Sequence, residues 1–238
     1  MTLKITNILM FFMVWSFAQI VFAQEPTNHS WDSQKIKGVR QLPYPYYTGF
    51  PFLTDTWRSG KVEFTNGEIS DSLYLRYSSF KDELIYYNKA ITTQINIDKT
   101  SLNGFVFTDS DGRSRVFRKQ YFDNFMKGNR FFEILSIGET SLLAYRKVNL
   151  TSTPAYNDER GILKNMIYDT DYQFYFYSPE KGYTLVRINQ TSLLSKFDKL
   201  SQKPIKKLLR KSKIKIGGEE TFIQAWKAIE KEGYKVVF

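Results

Sequence analysis

From Gly60 onward, polar and apolar residues alternate in short runs. In "KVEFTNGEISDSLYLRY" Val62 and Phe64 fall on one side of an extended chain, and Leu73, Leu75 and Tyr77 alternate with Tyr74 and Arg76. A period of two sends successive side chains to opposite faces of a strand, so the pattern predicts half-buried β-structure. Asn66-Gly67 between the two runs signals a hairpin, because both central residues of a type I′ turn need positive φ. The same alternation predicts strands over 83–88, 92–97, 104–109, 114–119, 130–137, 141–148, 172–178 and 183–188. Asp111-Gly112, Gly138-Glu139 and Lys181-Gly182 stand where those runs need turns. Residues 150–167 keep neither period and read as a long surface loop.

After Gln190 the period lengthens. Leu193, Leu194, Phe197 and Leu200 recur at helical spacing within 192–202, which predicts a helix with all four on its buried face. Pro204 suits the first turn of a second short helix carrying Ile205, Leu208 and Leu209. Gly217-Gly218 breaks the run. A third helix follows, with Glu219 and Glu220 at its positive end, Lys227 and Lys231 towards its negative end, Gly233 as a stop, and a stripe of Phe222, Ala225, Trp226 and Ile229. Tyr234, Val236 and Phe238 alternate again, which predicts a short final strand against a sheet edge. The fold class expected is therefore α+β: a mainly antiparallel meander, folded as a roll, sandwich or partly closed barrel, with two to three C-terminal helices.

The chain before Gly60 obeys neither period. Residues 1–23 combine a cation at Lys4, an apolar run over 8–22 and a small residue at Ala23, the pattern of a cleaved secretory signal peptide. Residues 24–43 are polar and irregular and read as a flexible leader. "PYPYYTGFPF" over 43–52 groups five rings with three prolines, and proline removes backbone donors and fixes φ. This segment is thus neither helix nor central strand. It is expected either to be a strap whose rings seal one edge of the core, or to present Tyr46, Tyr47, Phe50 and Phe52 as an aromatic platform for a sugar ring. The expected domains are a signal peptide (1–23), a leader (24–43), a β domain (44–190) and a basic helical segment (191–238) packed on it.

Composition narrows the chemistry. The chain contains no cysteine, which excludes disulfides, thiol nucleophiles and thiolate metal sites. Its hydrophobic content of 42% and aromatic content of 17% suffice for a packed core rather than a disordered chain. The net charge is +10, but 196–215 alone holds nine cations and one acid, or +8, so the basicity is local to the tail. Lys206, Lys207, Arg210 and Lys211 would face outward from the helices, either as a wet helix face or as a docking patch for an anionic glycan, lipid head group or envelope protein. Charge alone would also permit nucleic acid, and export argues against it.

The only histidine is His29, in the leader, so the body of the chain offers no histidine-activated nucleophile and no histidine zinc site. The remaining catalytic candidates are carboxylates: Asp82/Glu83, Asp109/Asp111 and Glu219/Glu220. All stand beside turns or a helix start, where acids are common for structural reasons. "DSDG" at 109–112 opens like a calcium loop, but basic residues follow where further oxygen ligands would be needed. No cofactor or metal is expected.

Several stretches together resemble a group of secreted β-rich proteins of Bacteroidota with no assigned activity. They are a Gly-x-Pro-Phe-Leu strap (Gly49 to Leu53, with Phe50 as x), Leu75-Arg76-Tyr77 followed by Asp82-Glu83-Leu84, and "FFEILSIGETSLLAYRKV", "YQFYFYSPEKGYTLVRI" and the lysine-rich end. The resemblance implies the periplasm or outer envelope as the location, and Asp71-Ser72-Leu73 resembles an O-glycosylation motif used there. The function expected is a non-enzymatic binding or assembly module of the cell envelope. The alternatives are a carboxylate-based hydrolase of envelope glycans and a small outer-membrane barrel, the latter because the terminal Phe238 resembles a barrel-assembly signal. Against the barrel, the strands run mostly shorter than the about 9–11 residues that a bilayer requires.

Overall fold

A computed structural model describes residues 35–45, 48–123, 127–152, 159, 161 and 166–238. The segment read as a signal peptide, His29 and the ring pair Tyr46 and Tyr47 lie outside the described residues. The strands are β1 (Gly38–Arg40), β2 (Thr48–Gly49), β3 (Arg58–Phe64), β4 (Leu73–Ser78), β5 (Glu83–Asn88) and β6 (Thr93–Ile97), followed by β7 (Leu102–Thr108), β8 (Ser114–Phe122), β9 (Gly128–Ser136), β10 (Ser141–Ser152), β11 (Met166–Ser178) and β12 (Gly182–Val186). They form one open sheet in the order β1-β6-β5-β4-β3-β7-β8-β9-β10-β11-β12. Every pairing along that path is antiparallel; β2 alone runs parallel, against the start of β11. Three helices complete the chain: α1 (Gln190–Leu194), α2 (Lys199–Lys211) and α3 (Glu219–Lys231).

The alternating runs become the sheet, and register explains the core. Val62, Phe105 and Phe117 stand directly opposite one another on neighbouring strands, so their side chains share one face. The Phe105 and Phe117 rings stack at 4.6 Å, and Phe131 meets Phe105 edge-on at 5.1 Å. The sheet curls far enough for Tyr77 of β4 to pack 5.2 Å from Phe117, and for Ser79, after β4, to accept a hydrogen bond from the Val148 amide of β10. Further along, Leu142, Ala144, Phe174, Phe176 and Val186 receive the helices through Phe197, Ile205, Leu209, Phe222, Trp226 and Ile229. Leu143, Tyr145 and Tyr175, on the opposite face of the same strands, pack with Phe122 and Phe132. Strands β10 and β11 are thus buried on both sides, which is why "SLLAY" and "FYFY" read as nearly continuous apolar runs.

Several expectations need correction. The end of the predicted leader is a strand: Gly38–Arg40 pairs with Ile95–Ile97. Part of the predicted loop 150–167 belongs to β10 and β11, which reach 12 and 13 residues. The predicted helix over 192–202 breaks after Leu194, and α2 starts at Lys199 because the Asp198 carboxylate accepts from the Leu200 and Ser201 amides. That N-cap overrides the preference of Pro204 for a first turn and leaves the proline inside the helix. It also turns Leu200 outward to 88% exposure, off the buried stripe. Residues 234–238 form no strand; Val236 is instead buried in the helix cluster, and the Val237 amide bonds to the Lys196 carbonyl.

Candidate functional site

Backbone bonds hold the strap segment, tying Gln41 to β6 and residues 51–53 to the end of β4. The Gln41 amide donates to Gln94, the Leu53 amide to Tyr77, and the Phe80 amide to Pro51. Gly49 anchors the middle against β11 at φ +83, where a Cβ would come within 2.2 Å of the Tyr168 carbonyl oxygen, so only glycine fits. The rings then follow one another. Tyr44 meets Phe52 at 5.3 Å and Phe80 at 6.3 Å, Phe80 meets Tyr168 at 5.2 Å, and Phe50 meets Phe52 at 5.4 Å.

Between this strap and the β5–β6 turn lies a cleft of about 630 Å³. Its apolar wall comprises Tyr44, Phe50, Phe52 and Tyr168, and its polar rim includes Gln41, Thr92, Thr93 and Gln94. Arg76 reaches into it from β4. The guanidinium lies 4.0 Å from the Phe52 ring centre, 5.0 Å from Phe50 and 5.9 Å from Trp57. Its Nε donates to the Thr54 carbonyl at 3.3 Å and one Nη to the Asp55 carbonyl at 2.7 Å. Burial lowers the pKa of Arg76, which marks a cation that has lost water and is not fully compensated. Arg40 lines the same cleft from the end of β1.

The expectation for the strap splits here. Phe52 is half-buried beneath Arg76, as a sealing ring would be, whereas Phe50 is 41% exposed and belongs to the cleft wall. Nothing in the period of the sequence marks Arg76. Its position follows from strap carbonyls that lie 21 and 22 residues away in the chain. No protein-family model, no curated protein and no solved structure matches this chain.

The basic residues and the carboxylates go elsewhere. Lys206, Lys207, Arg210 and Lys211 lie exposed on α2 and make no ion pair among the described residues. Asp82 is buried at φ 58. It accepts from the Tyr77 hydroxyl at 2.6 Å, the Phe131 amide at 3.2 Å and the Lys99 ammonium at 2.5 Å. Burial raises its pKa, opposed chiefly by Lys99. Both oxygens are engaged, which makes Asp82 a tie between the β4–β5 turn, β9 and the segment after β6. Asp109 pairs with Arg115 at 2.8 Å and with Arg58 at 3.5 Å.

Glu219 completes a second buried network. Arg146, 1% exposed, donates to Glu133 at 2.5 Å and, through both terminal nitrogens, to Glu219 at 2.6 and 2.7 Å. Arg115 also reaches Glu133, and Arg113 lies 3.7 Å from Glu220. The carboxylates at the start of α3 therefore fasten the helix to the sheet. Among the described residues no cluster of three or more histidine, aspartate or glutamate side chains could hold a metal.

Proposed function

We propose that this protein is an exported, non-enzymatic binding module of the cell envelope, and that the cleft beneath the strap receives a saccharide ring. The observation that carries the proposal is the half-exposed Phe50 ring, set in a concave wall with amide and hydroxyl side chains along its rim. A pyranose presents an apolar C–H face that packs on an aromatic ring, and an equator of hydroxyls that needs donors and acceptors. The signal-peptide pattern of 1–23 supports export. The resemblance to secreted proteins of Bacteroidota supports the same address. A hydrolase of envelope glycans would need a carboxylate pair at the substrate, and among the described residues no aspartate or glutamate lines this cleft.

The exposed cations of α2 favour a second reading, in which that face docks on an anionic surface. One experiment separates the two. Retardation of the 24–238 chain in gels containing envelope polysaccharide should disappear with Phe50→Ala. It should persist when Lys206, Lys207, Arg210 and Lys211 are all changed to glutamine. The reverse pattern assigns binding to the helix, and the cleft proposal falls.

A further inference from the structure

We infer that the ligand of this cleft is acidic: a saccharide whose ring carboxylate pairs with the guanidinium edge of Arg76, assisted by Arg40. The inference rests on the saccharide reading and names the class of sugar. Among the described residues two arginines line the cleft, and no acid does. Asp55, the acid nearest in sequence to the strap contacts of Arg76, offers its backbone carbonyl; its carboxylate lies in solvent at 81% exposure and faces Arg58 at 3.4 Å. Arg40 is exposed and makes no ion pair among the described residues.

The geometry also leaves Arg76 free to act. A guanidinium carries five N–H donors, and the two bonds to Thr54 and Asp55 use two of them. The guanidinium carbon lies 4.0 Å over the Phe52 ring, and the donors not spent on Thr54 and Asp55 remain on the two terminal nitrogens. Two parallel N–H groups on such nitrogens match the two oxygens of a carboxylate. The field of the solvent-exposed Asp55 carboxylate offsets only part of the cost of half-burying this cation, and a ligand carboxylate would remove the rest. A neutral sugar would leave it in place. A hexuronate meets both demands, because its ring can lie on Phe50 while its carboxylate reaches Arg76.

Calorimetric titration of the 24–238 chain with trimers of galacturonate, glucuronate and mannuronate tests the inference, each trimer being compared with its methyl ester. The ester keeps the ring and its hydroxyls and removes the charge. At least one acidic trimer should bind about tenfold or more tightly than its ester, since a hydrogen bond to a charged partner is worth about that factor. The preference should shrink between about 50 and 500 mM salt. Arg40→Gln, at an exposed position, should weaken the acid more than the ester. Arg76→Lys, which keeps the charge and loses the fork, should weaken the acid further.

Equal binding of acid and ester overturns the inference while the saccharide reading stands. Binding of neither form by any trimer overturns both. An acid preference that survives Arg40→Gln and Arg76→Lys but vanishes with the four glutamines on α2 assigns the charge effect to the helix and also overturns it.

Discussion

Replacing Glu133 by glutamine perturbs the point where the sheet, α3 and two arginines meet. Glu133 is 4% exposed and receives Arg146 at 2.5 Å and Arg115 at 3.1 Å. Burial works against the charge of Arg146, and the hydrogen bonds it donates to Glu219 together with the fields of Glu133 and Glu219 more than offset it, raising its pKa. Without the Glu133 charge, Arg146 still keeps its two bonds to Glu219, and Arg115 keeps Asp109. The loss is therefore smaller than the complete orphaning of a buried ion, which costs about 3–5 kcal/mol. Two weakened charge-assisted bonds of about 1.5–3 kcal/mol each, partly retained by the amide, give a cost of about 2–4 kcal/mol. For a chain of this length that lowers the thermal midpoint by about 5–15 °C, read by far-ultraviolet circular dichroism. A Glu133→Gln midpoint within about 1 °C of wild type would refute this account of the helix–sheet junction.

Three further outcomes follow from the same contacts. Phe50→Ala should cost about 1–2 kcal/mol in urea unfolding, well below the about 3–5 kcal/mol of a fully buried ring, because Phe50 is 41% exposed; a loss above about 3 kcal/mol would return it to the core. Gly49→Ala should loosen the strap, seen as faster amide hydrogen exchange at Leu53 and Phe80, since the new Cβ would stand 2.2 Å from the Tyr168 oxygen at a φ of +83; unchanged exchange at both amides would contradict the anchoring. Burial raises the pKa of Glu219, but Arg146 more than offsets this and holds it below its ordinary 4.5. The stabilisation it supplies is thus complete above about pH 4.5 and lost as pH falls through the lower folded value, so Glu219→Gln should flatten the acid limb of a stability–pH curve, and an unchanged limb would count against the Arg146 pair.

Most of the sheet was legible because its signal is local: a period of two, with turn residues between the runs. Strand β1 was not, because Gly38-Val39-Arg40 carries no alternation and becomes a strand only where β6 supplies a partner. The helical end was legible in content and misread in phase. Asp198 caps α2 inside the predicted first helix, so the break falls between Leu194 and Lys199 rather than before Pro204, and Leu200 turns into solvent as a result. Glu133 and Arg146 did leave a signal, since each places a charge among the apolar residues of a predicted strand, where a buried partner is required. The cleft is half legible: Phe50 and Phe52 follow from ring density in the strap, whereas Arg76 enters through tertiary contacts that no spacing encodes.

The most direct test of the cleft as the binding surface is heteronuclear magnetic resonance of the 24–238 chain during titration with the uronate trimer that binds most tightly. The arginine side-chain and backbone amide signals should move at Arg40, Phe50, Phe52, Arg76 and Gln94, while those of α2 stay in place. Shifts confined to Lys199–Lys211, with the strap and Arg76 unmoved, would contradict the cleft as the site of binding.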